Sequence, residues 1–308
     1  MRLEANALRM GARPVKDRVT ALLLGALLLG GCGTAPAAPP RSGPALWKVA
    51  DADTTIYLFG TIHLLPEGTK WRTPAIAQAI AASDALVTEA VLGGDPAAGT
   101  AEMARLAVSP GLPPLAERVP ADKRAALETM MKGAGLAPDA LDHLETWAAA
   151  LSLLSVSFGQ MGLKPELGVE RGLEAEARAA GKPVTGLETL AGQMRLFDGL
   201  SEDAQRAFLL SAIEDPAAGR AEFDTMVAAW IGGDLAEIAR TFDEEMGAAP
   251  ELRAALMTRR NAAWASWIAA RLDQPGTLFM AVGAGHLAGR GSVQELLRAR
   301  GLESTRIQ

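Results

Sequence analysis

Cysteine is nearly absent: Cys32 is the only one in 308 residues. A single cysteine excludes an intrachain disulfide framework. Histidine is almost as scarce, with only His63, His143 and His286, so an imidazole site has few residues to draw on. Basic residues are outnumbered, 30 against 36 acidic, for a net charge of −6. Phosphate neutralisation needs clustered Lys and Arg, so nucleic acid is excluded as a partner class. Beyond the N-terminal region no apolar run reaches the length of a membrane span. The longest, Trp147 to Phe158, is interrupted by serines and predicts a core helix. There is no Gly-x-Ser-x-Gly elbow, no His-Glu-x-x-His helix and no Walker loop. No fixed-period repeat is present, which excludes a solenoid. Gly283-Ala284-Gly285 begins like a dinucleotide fingerprint, but the third glycine falls at Gly289, one place late.

What the chain does contain is one short pattern written twice. Thr55-Ile56-Tyr57-Leu58-Phe59-Gly60-Thr61-Ile62-His63 recurs in form as Thr277-Leu278-Phe279-Met280-Ala281-Val282-Gly283-Ala284-Gly285-His286. Each is an apolar, β-prone run that breaks at a glycine, with a histidine three residues later and then a leucine. If both strands share a sheet, both imidazoles emerge at one edge.

The N-terminus reads as a secretory leader. Arg2, Arg9, Arg13, Lys16 and Arg18 precede an apolar stretch from Val19 to Leu29, and Leu29-Gly30-Gly31-Cys32 follows. That ending resembles a bacterial lipobox, which implies residues 1–31 as signal peptide and Cys32 as the lipidated mature N-terminus. Gly33 after the cysteine points, by the same analogy, to the outer membrane. The mature part carries 25 basic and 34 acidic residues, net −9. Residues 32–44, rich in Pro, Ala, Gly and Ser, read as a flexible tether.

From residue 45 the pattern predicts a hairpin, Leu46–Ala50 and Thr54–Phe59, across Asp51-Ala52-Asp53. Thr73-Pro74 supplies an N-cap and N1 proline for a helix to about Ala82. Ala85–Glu89 is a short strand ending on a carboxylate; strand, helix and strand in this order suggest a βαβ unit with parallel pairing. Helices are predicted over 122–132, 138–158, 166–180, 201–214, 221–231, 235–246 and 251–272. A strand at 183–188 interrupts them, ending on Glu188. Thr277–Val282 is the last clear strand, Ser292-Val293-Gln294-Glu295 reads as a capping box, and Ser304–Ile307 as a closing edge strand. The fold class is therefore α/β: one 45–308 domain whose central sheet comes from both ends of the chain, with a large helical insertion over about 100–272.

Four polar residues fall at strand ends: His63, Glu89, Glu188 and His286. In open parallel sheets ligands bind beyond the carboxyl ends of the strands. Two imidazoles and one or two carboxylates suit a divalent metal ion with a position left open for water. The glycines nearby permit close backbone approach, and their amides can serve as anion donors. The residues alone allow two readings, metal or catalysis on one side and two histidines merely hydrogen-bonded at strand ends on the other. His143 is expected inside the helix from Pro138, and is set aside as a packed or surface helix histidine. Arg260 shares a helix face with Trp264 and Trp267. It reads either as a snorkelling arginine or as a guanidinium that holds a substrate carboxylate or an oxyanion.

Leu46-Trp47-Lys48-Val49 leading into Gly60-Thr61-Ile62-His63 resembles the opening of the TraB/PrgY/GumN proteins, which are related to the Tiki metalloproteases. The resemblance continues through Glu89, Gly168-Val169-Glu170, Lys182-Pro183-Val184, Leu187-Glu188-Thr189 and Arg260-Asn261, and ends on Gly283-Ala284-Gly285-His286. It implies an α/β core with a helical insertion and a metal-dependent peptidase activity. Carried onto this sequence, it makes His63, His286 and Glu89 the essential residues, with Arg260 and Asn261 matching an arginine-bearing element. The expected assignment has His63, His286 and Glu89 as metal ligands, Glu89 also as general base, and Arg260 and Asn261 in catalysis. Glu188 and Glu170 are held as supporting carboxylates. The ion could be manganese, cobalt or zinc, and the substrate a peptide or small molecule. The alternative is a lipoprotein that binds and sequesters a peptide or small ligand in the same cleft. On either reading the protein faces the periplasm and meets the membrane only through its lipid.

Overall fold

The computed structural model describes residues 43–91, 101, 104–213, 216–247 and 249–308. The leader, Cys32 and nearly all of the tether lie outside the described residues. So does Glu214, the expected end of the 201–214 helix.

Six strands form one sheet: β1 (Leu46–Ala50), β2 (Thr54–Thr61), β3 (Ala85–Ala90), β4 (Val184–Glu188), β5 (Gly276–Gly283) and β6 (Ser304–Arg306). Their order is β4-β3-β5-β2-β1-β6. The four strands β4, β3, β5 and β2 run parallel, and β1 pairs antiparallel with both β2 and β6. The hairpin, the shared sheet and the closing edge strand are as expected. The βαβ unit differs in one respect. Strands β2 and β3 are parallel but not neighbours, because β5 from the far end of the chain is inserted between them. An apolar strand buried on both faces is suited to that central position, and Leu278 to Val282 are all buried.

Side chains alternate across this sheet. Phe59, Leu86, Phe279 and Ala281 face one core with Ile76 and Ile80 of α1 (Pro74–Ala82). Leu58, Val87, Leu278, Met280 and Val282 face the other. Period-two alternation along β2, β3 and β5 thus produces two cores from one sheet. Thr73 caps α1 as expected, its side chain accepting from the Ile76 amide, with Pro74 at the first helical position.

The insertion contains α2 (Arg124–Gly133), α3 (Thr146–Gln160), α4 (Val169–Ala179), α5 (Leu190–Asp198), α6 (Glu202–Ala212), α7 (Pro216–Gly232), α8 (Leu235–Gly247), α9 (Pro250–Arg253) and α10 (Arg259–Arg271), and α11 (Val293–Arg298) follows β5. Val169, Leu173 and Ala177 of α4 and Trp230 of α7 pack on the first face of the sheet. Trp264, Ala265 and Ile268 of α10, with Val293 and Leu297 of α11, pack on the second. Leu115, Leu127, Leu153 and Leu209 form a separate helical core away from the sheet.

Three expectations are corrected. The helix expected from Pro138 starts at Thr146, so His143 lies in a preceding turn and not inside a helix. The cause is Arg118, a buried side chain whose guanidinium donates to the carbonyls of Pro113, Asp142 and Leu144. It holds carbonyls that a helix would direct along its own axis. The long helix expected over 251–272 is interrupted by a π-turn at Ala254–Thr258. The capping box at Ser292 does not form: the Ser292 side chain makes no cap bond, and Glu295 accepts from the Gly291 amide instead.

Candidate functional site

Strands β2 and β5 lie side by side in register, Gly60 opposite Val282 and Thr61 opposite Gly283. The two written copies of the pattern therefore end at the same edge of the sheet. Gly60 permits the close approach there: a Cβ on it would lie 3.0 Å from the Ala284 Cα, so the turn would have to give by a few tenths of an ångström. The Gly60 carbonyl accepts from the Trp230 indole at 2.8 Å, which fixes the turn beneath His63.

His63 follows β2 with its Nδ1 at 2.7 Å from a Glu170 carboxylate oxygen. Thr61 donates its hydroxyl to the same oxygen. Glu170 arrives on the first turn of α4, which is docked by the Val169 amide on the Ile62 carbonyl at 3.1 Å. The His63 ring keeps 64% of its side-chain surface open to solvent. Burial acts to lower its pKa, while the charge and hydrogen bond of Glu170 raise it, aided by Glu89. With so open a ring the pairing decides, and the net is a rise to about 9. Glu170 moves the opposite way. Burial opposes its ionisation, but His63 and Thr61 outweigh that and hold its pKa below the ordinary value.

His286 sits on a short 3-10 turn, Ala284–Leu287, directly after β5, and is buried. Its Nδ1 faces the Asn261 side-chain oxygen at 2.5 Å, and the Asn261 amide nitrogen donates to the Gly291 carbonyl at 2.8 Å. Because the second bond fixes which end of Asn261 is nitrogen, His286 Nδ1 must carry the proton and Nε2 the lone pair. Trp264 packs beside the imidazole, ring centres 4.4 Å apart. Burial, together with the nearby positive charge of Arg260 and His63, lowers the His286 pKa to about 4 against the opposing pull of Glu89. The ring is neutral near pH 7.

Glu89, at the end of β3, is buried between these groups. One oxygen accepts from the Gly283 amide at 2.7 Å and lies 3.6 Å from His286 Nε2. The other accepts from Arg260 and from Gln193, the latter at 3.1 Å. Burial acts to raise its pKa, but the charges of His286, Arg260 and His63 and the Gly283 amide bring it down to about 2. Near pH 7, where His286 is neutral, Arg260 is the buried cation bonded directly to the ionised Glu89.

Arg260 occupies the middle of the arrangement. Its Nε donates to Glu188 at 2.9 Å, and a terminal nitrogen donates to Glu89. The other terminal nitrogen is 3.0 Å from His286 Nε2 and donates to the Leu256 carbonyl at 3.1 Å. The guanidinium also stacks over Trp264 at 4.6 Å, and Trp264 donates its indole N–H to Glu188 at 3.0 Å. The expected role of Arg260 as a free partner for a substrate carboxylate is not the state seen here: protein groups engage its nitrogens. Asn261 orients His286, so its position is that of a supporting residue. Glu188 serves Arg260 and touches neither histidine, whereas Glu170 is bonded directly to His63.

The donor types can be tested against a divalent ion. Both motif histidines have Nδ1 tied to a polar side chain, as metal-binding histidines do. A Cβ placed on Gly283 would lie 3.2 Å from Glu89 Oε1, 3.5 Å from His286 Cδ2 and 3.8 Å from His63 Nε2. The three groups therefore border one small space that glycine keeps open. Among the described residues, however, no three His, Cys, Asp or Glu side chains are closed on one point as metal ligands. Between Glu89 and His286 the cation present is the guanidinium of Arg260. The set fits a metal in donor type and ring orientation, provided that Arg260 gives way.

Sequence reasoning missed Gln193 and Thr61. Thr61 lies inside the repeated pattern but, like Gln193, shows its part only by contact, with Glu170 and Glu89 respectively.

The sequence model of the TraB/PrgY/gumN family matches residues 45–306. The chain is 25% identical over 260 residues to the uncharacterised protein YbaP of Escherichia coli K12, covering 83% of this chain and 92% of that one. The Shigella flexneri YbaP protein aligns with the same identity and coverage. No solved structure matches.

Proposed function

The chain belongs to the TraB/PrgY/gumN family, and from that premise we propose that it is a metal-dependent hydrolase acting on peptides. One observation supports this reading above the others. The Nδ1 atoms of His63 and His286 are held by Glu170 and Asn261, and the same Gly283-floored space is bordered by both rings and by Glu89.

His63, His286 and Glu89 would hold the ion, whether manganese, cobalt or zinc. Such an ion supplies Lewis acidity for a carbonyl and for water. The chain's own contribution is orientation and charge. Glu170 and Asn261 each hold an Nδ1 proton, so His286 offers Nε2 and His63 would offer its own once the ion displaces its second proton. The Gly283 amide, Gln193 and Arg260 keep Glu89 ionised, fit to act as ligand or as proton acceptor. Trp264 shields one side of His286 and limits water there. Arg260 is the charged group nearest both Glu89 and His286, and once released from them it would be placed to face developing negative charge.

The second reading is a binding protein that sequesters a peptide or small ligand. The engaged state of Arg260 favours it, since a permanent guanidinium would leave the cleft able to bind and unable to cut. In either case the supported location is the periplasmic face of the outer membrane, through lipid on Cys32. That rests on the leader pattern and Leu29-Gly30-Gly31-Cys32.

Metal analysis of the purified protein, with peptide-library turnover by wild type, His63→Ala and Glu89→Ala, separates the two. Stoichiometric metal and turnover lost in both folded variants support the hydrolase. A metal-free wild type that cleaves nothing after manganese, cobalt or zinc is added overturns it.

A further inference from the structure

The sheet has two edges, and they are finished differently. At β6 the edge is guarded: Arg306 donates to the Gly233 and Gln308 carbonyls, and Gln308 donates to the Pro44 carbonyl. Arginine and short strands are common ways of blocking a sheet edge.

At the opposite edge, β4 has no strand beyond it among the described residues. The Leu86 amide bonds the Pro183 carbonyl, and Leu86 pairs with Val184. In a parallel ladder this turns the N–H and C=O of Pro183, Thr185 and Leu187 towards β3, as far as each has them. The N–H and C=O of Val184 and Gly186, and those of Glu188, then face outward. Thr185 and Gly186 are exposed. From Val184 to Leu187 this strand has no charged residue or proline, and among the described residues no strand covers it. It also runs directly into the site, because Glu188 at its end holds Arg260 and Trp264.

We propose that the outer edge of β4 is the docking strand for an extended peptide, which adds to the sheet and thereby carries its backbone to the site at Glu188. The recognition is main-chain hydrogen bonding at alternate residues, so the ligand class is an unfolded or extended polypeptide segment and not a folded surface. This deepens the hydrolase reading and rests on it for the identity of the substrate.

The test is amide exchange by NMR on the ¹⁵N-labelled full-length protein, with a capped random hexapeptide mixture as the probe. Slowed exchange at Val184 and Gly186, with Thr185 and Leu187 changed little, is the expected result. Binders recovered from the mixture are then resynthesised with single N-methyl groups. Methylation at alternate residues should weaken binding about tenfold, as expected for one lost hydrogen bond, and methylation between them should not. No protection at β4 overturns the proposal, as does protection that appears without peptide and tracks dimer formation. Turnover without β4 protection removes this proposal and leaves the hydrolase standing; protection without turnover does the reverse.

Discussion

A terminal nitrogen of Arg260 lies 3.0 Å from His286 Nε2, while the same guanidinium bonds Glu89 and Glu188. The arginine side chain is only 10% exposed, and Glu89 9%. Removing one partner of a buried ion pair strands the other charge. Arg260→Met is therefore expected to lose about 3 to 5 kcal/mol in urea unfolding without metal. Added manganese should restore more stability to this variant than to wild type, because two carboxylates then await a cation. Equal gains in both proteins would show that Arg260 does not stand in the ion's place.

Asn261 sets the tautomer of His286. Asn261→Ala leaves the Nδ1 proton without its acceptor, and metal affinity measured against a competing chelator should fall about 10- to 100-fold. Asn261→Asp restores an acceptor and should recover most of that loss. If both variants weaken binding alike, orientation of His286 is not what Asn261 provides.

His63 carries the pH dependence of the metal-free protein. Its folded-state pKa is raised to about 9, above the ordinary 6.5. Its contribution is thus fully present below pH 6.5 and is lost as pH rises through 9. The stability difference between wild type and His63→Gln should shrink across that window, and an imidazole resonance should titrate near 9. A His63 resonance titrating at 6.5 would show that the Glu170 pairing is not made in solution.

Gly168 and Gly172 lie four residues apart and should respond oppositely to alanine. A Cβ on buried Gly168 would meet the His63 carbonyl oxygen at 2.2 Å, whereas one on Gly172 meets nothing within 4 Å. Gly168→Ala should cost about 1 to 3 kcal/mol and loosen metal binding by displacing His63. Gly172→Ala, exposed inside α4, should gain about 0.5 to 1 kcal/mol from helix propensity. Chemical denaturation of the two variants side by side decides the matter.

Lipid attachment at Cys32 predicts that cells fed radiolabelled palmitate label the wild-type protein and leave Cys32→Ser unlabelled. Equal labelling would remove the anchor.

The parts of the site that were legible in sequence are those fixed by strand register. His63 and His286 stand after matched apolar runs, and matched runs pair in register, so their meeting needed only the sheet. Glu89 was legible as the last polar residue of a strand. Glu170 was undervalued because its contact depends on how the first turn of α4 docks under the Ile62 carbonyl, a tertiary event without a periodic signature. The late start of α3 was hidden for a related reason. Leu141 and Leu144 continue the apolar spacing, but Arg118, more than twenty residues earlier, takes the nearby carbonyls and holds a turn. The π-turn before Arg260 has no residue pattern that distinguishes it from the surrounding helix.

The insertion of β5 between β2 and β3 also governs when the site can exist. Strand β2 is synthesised early, yet its parallel neighbour is made only after more than two hundred further residues. Pairings so distant in sequence close late and slow folding. A nascent chain that has already presented His63 and Glu89 still lacks Arg260, Gly283 and His286. Any activity of this cleft is therefore withheld from incomplete chains.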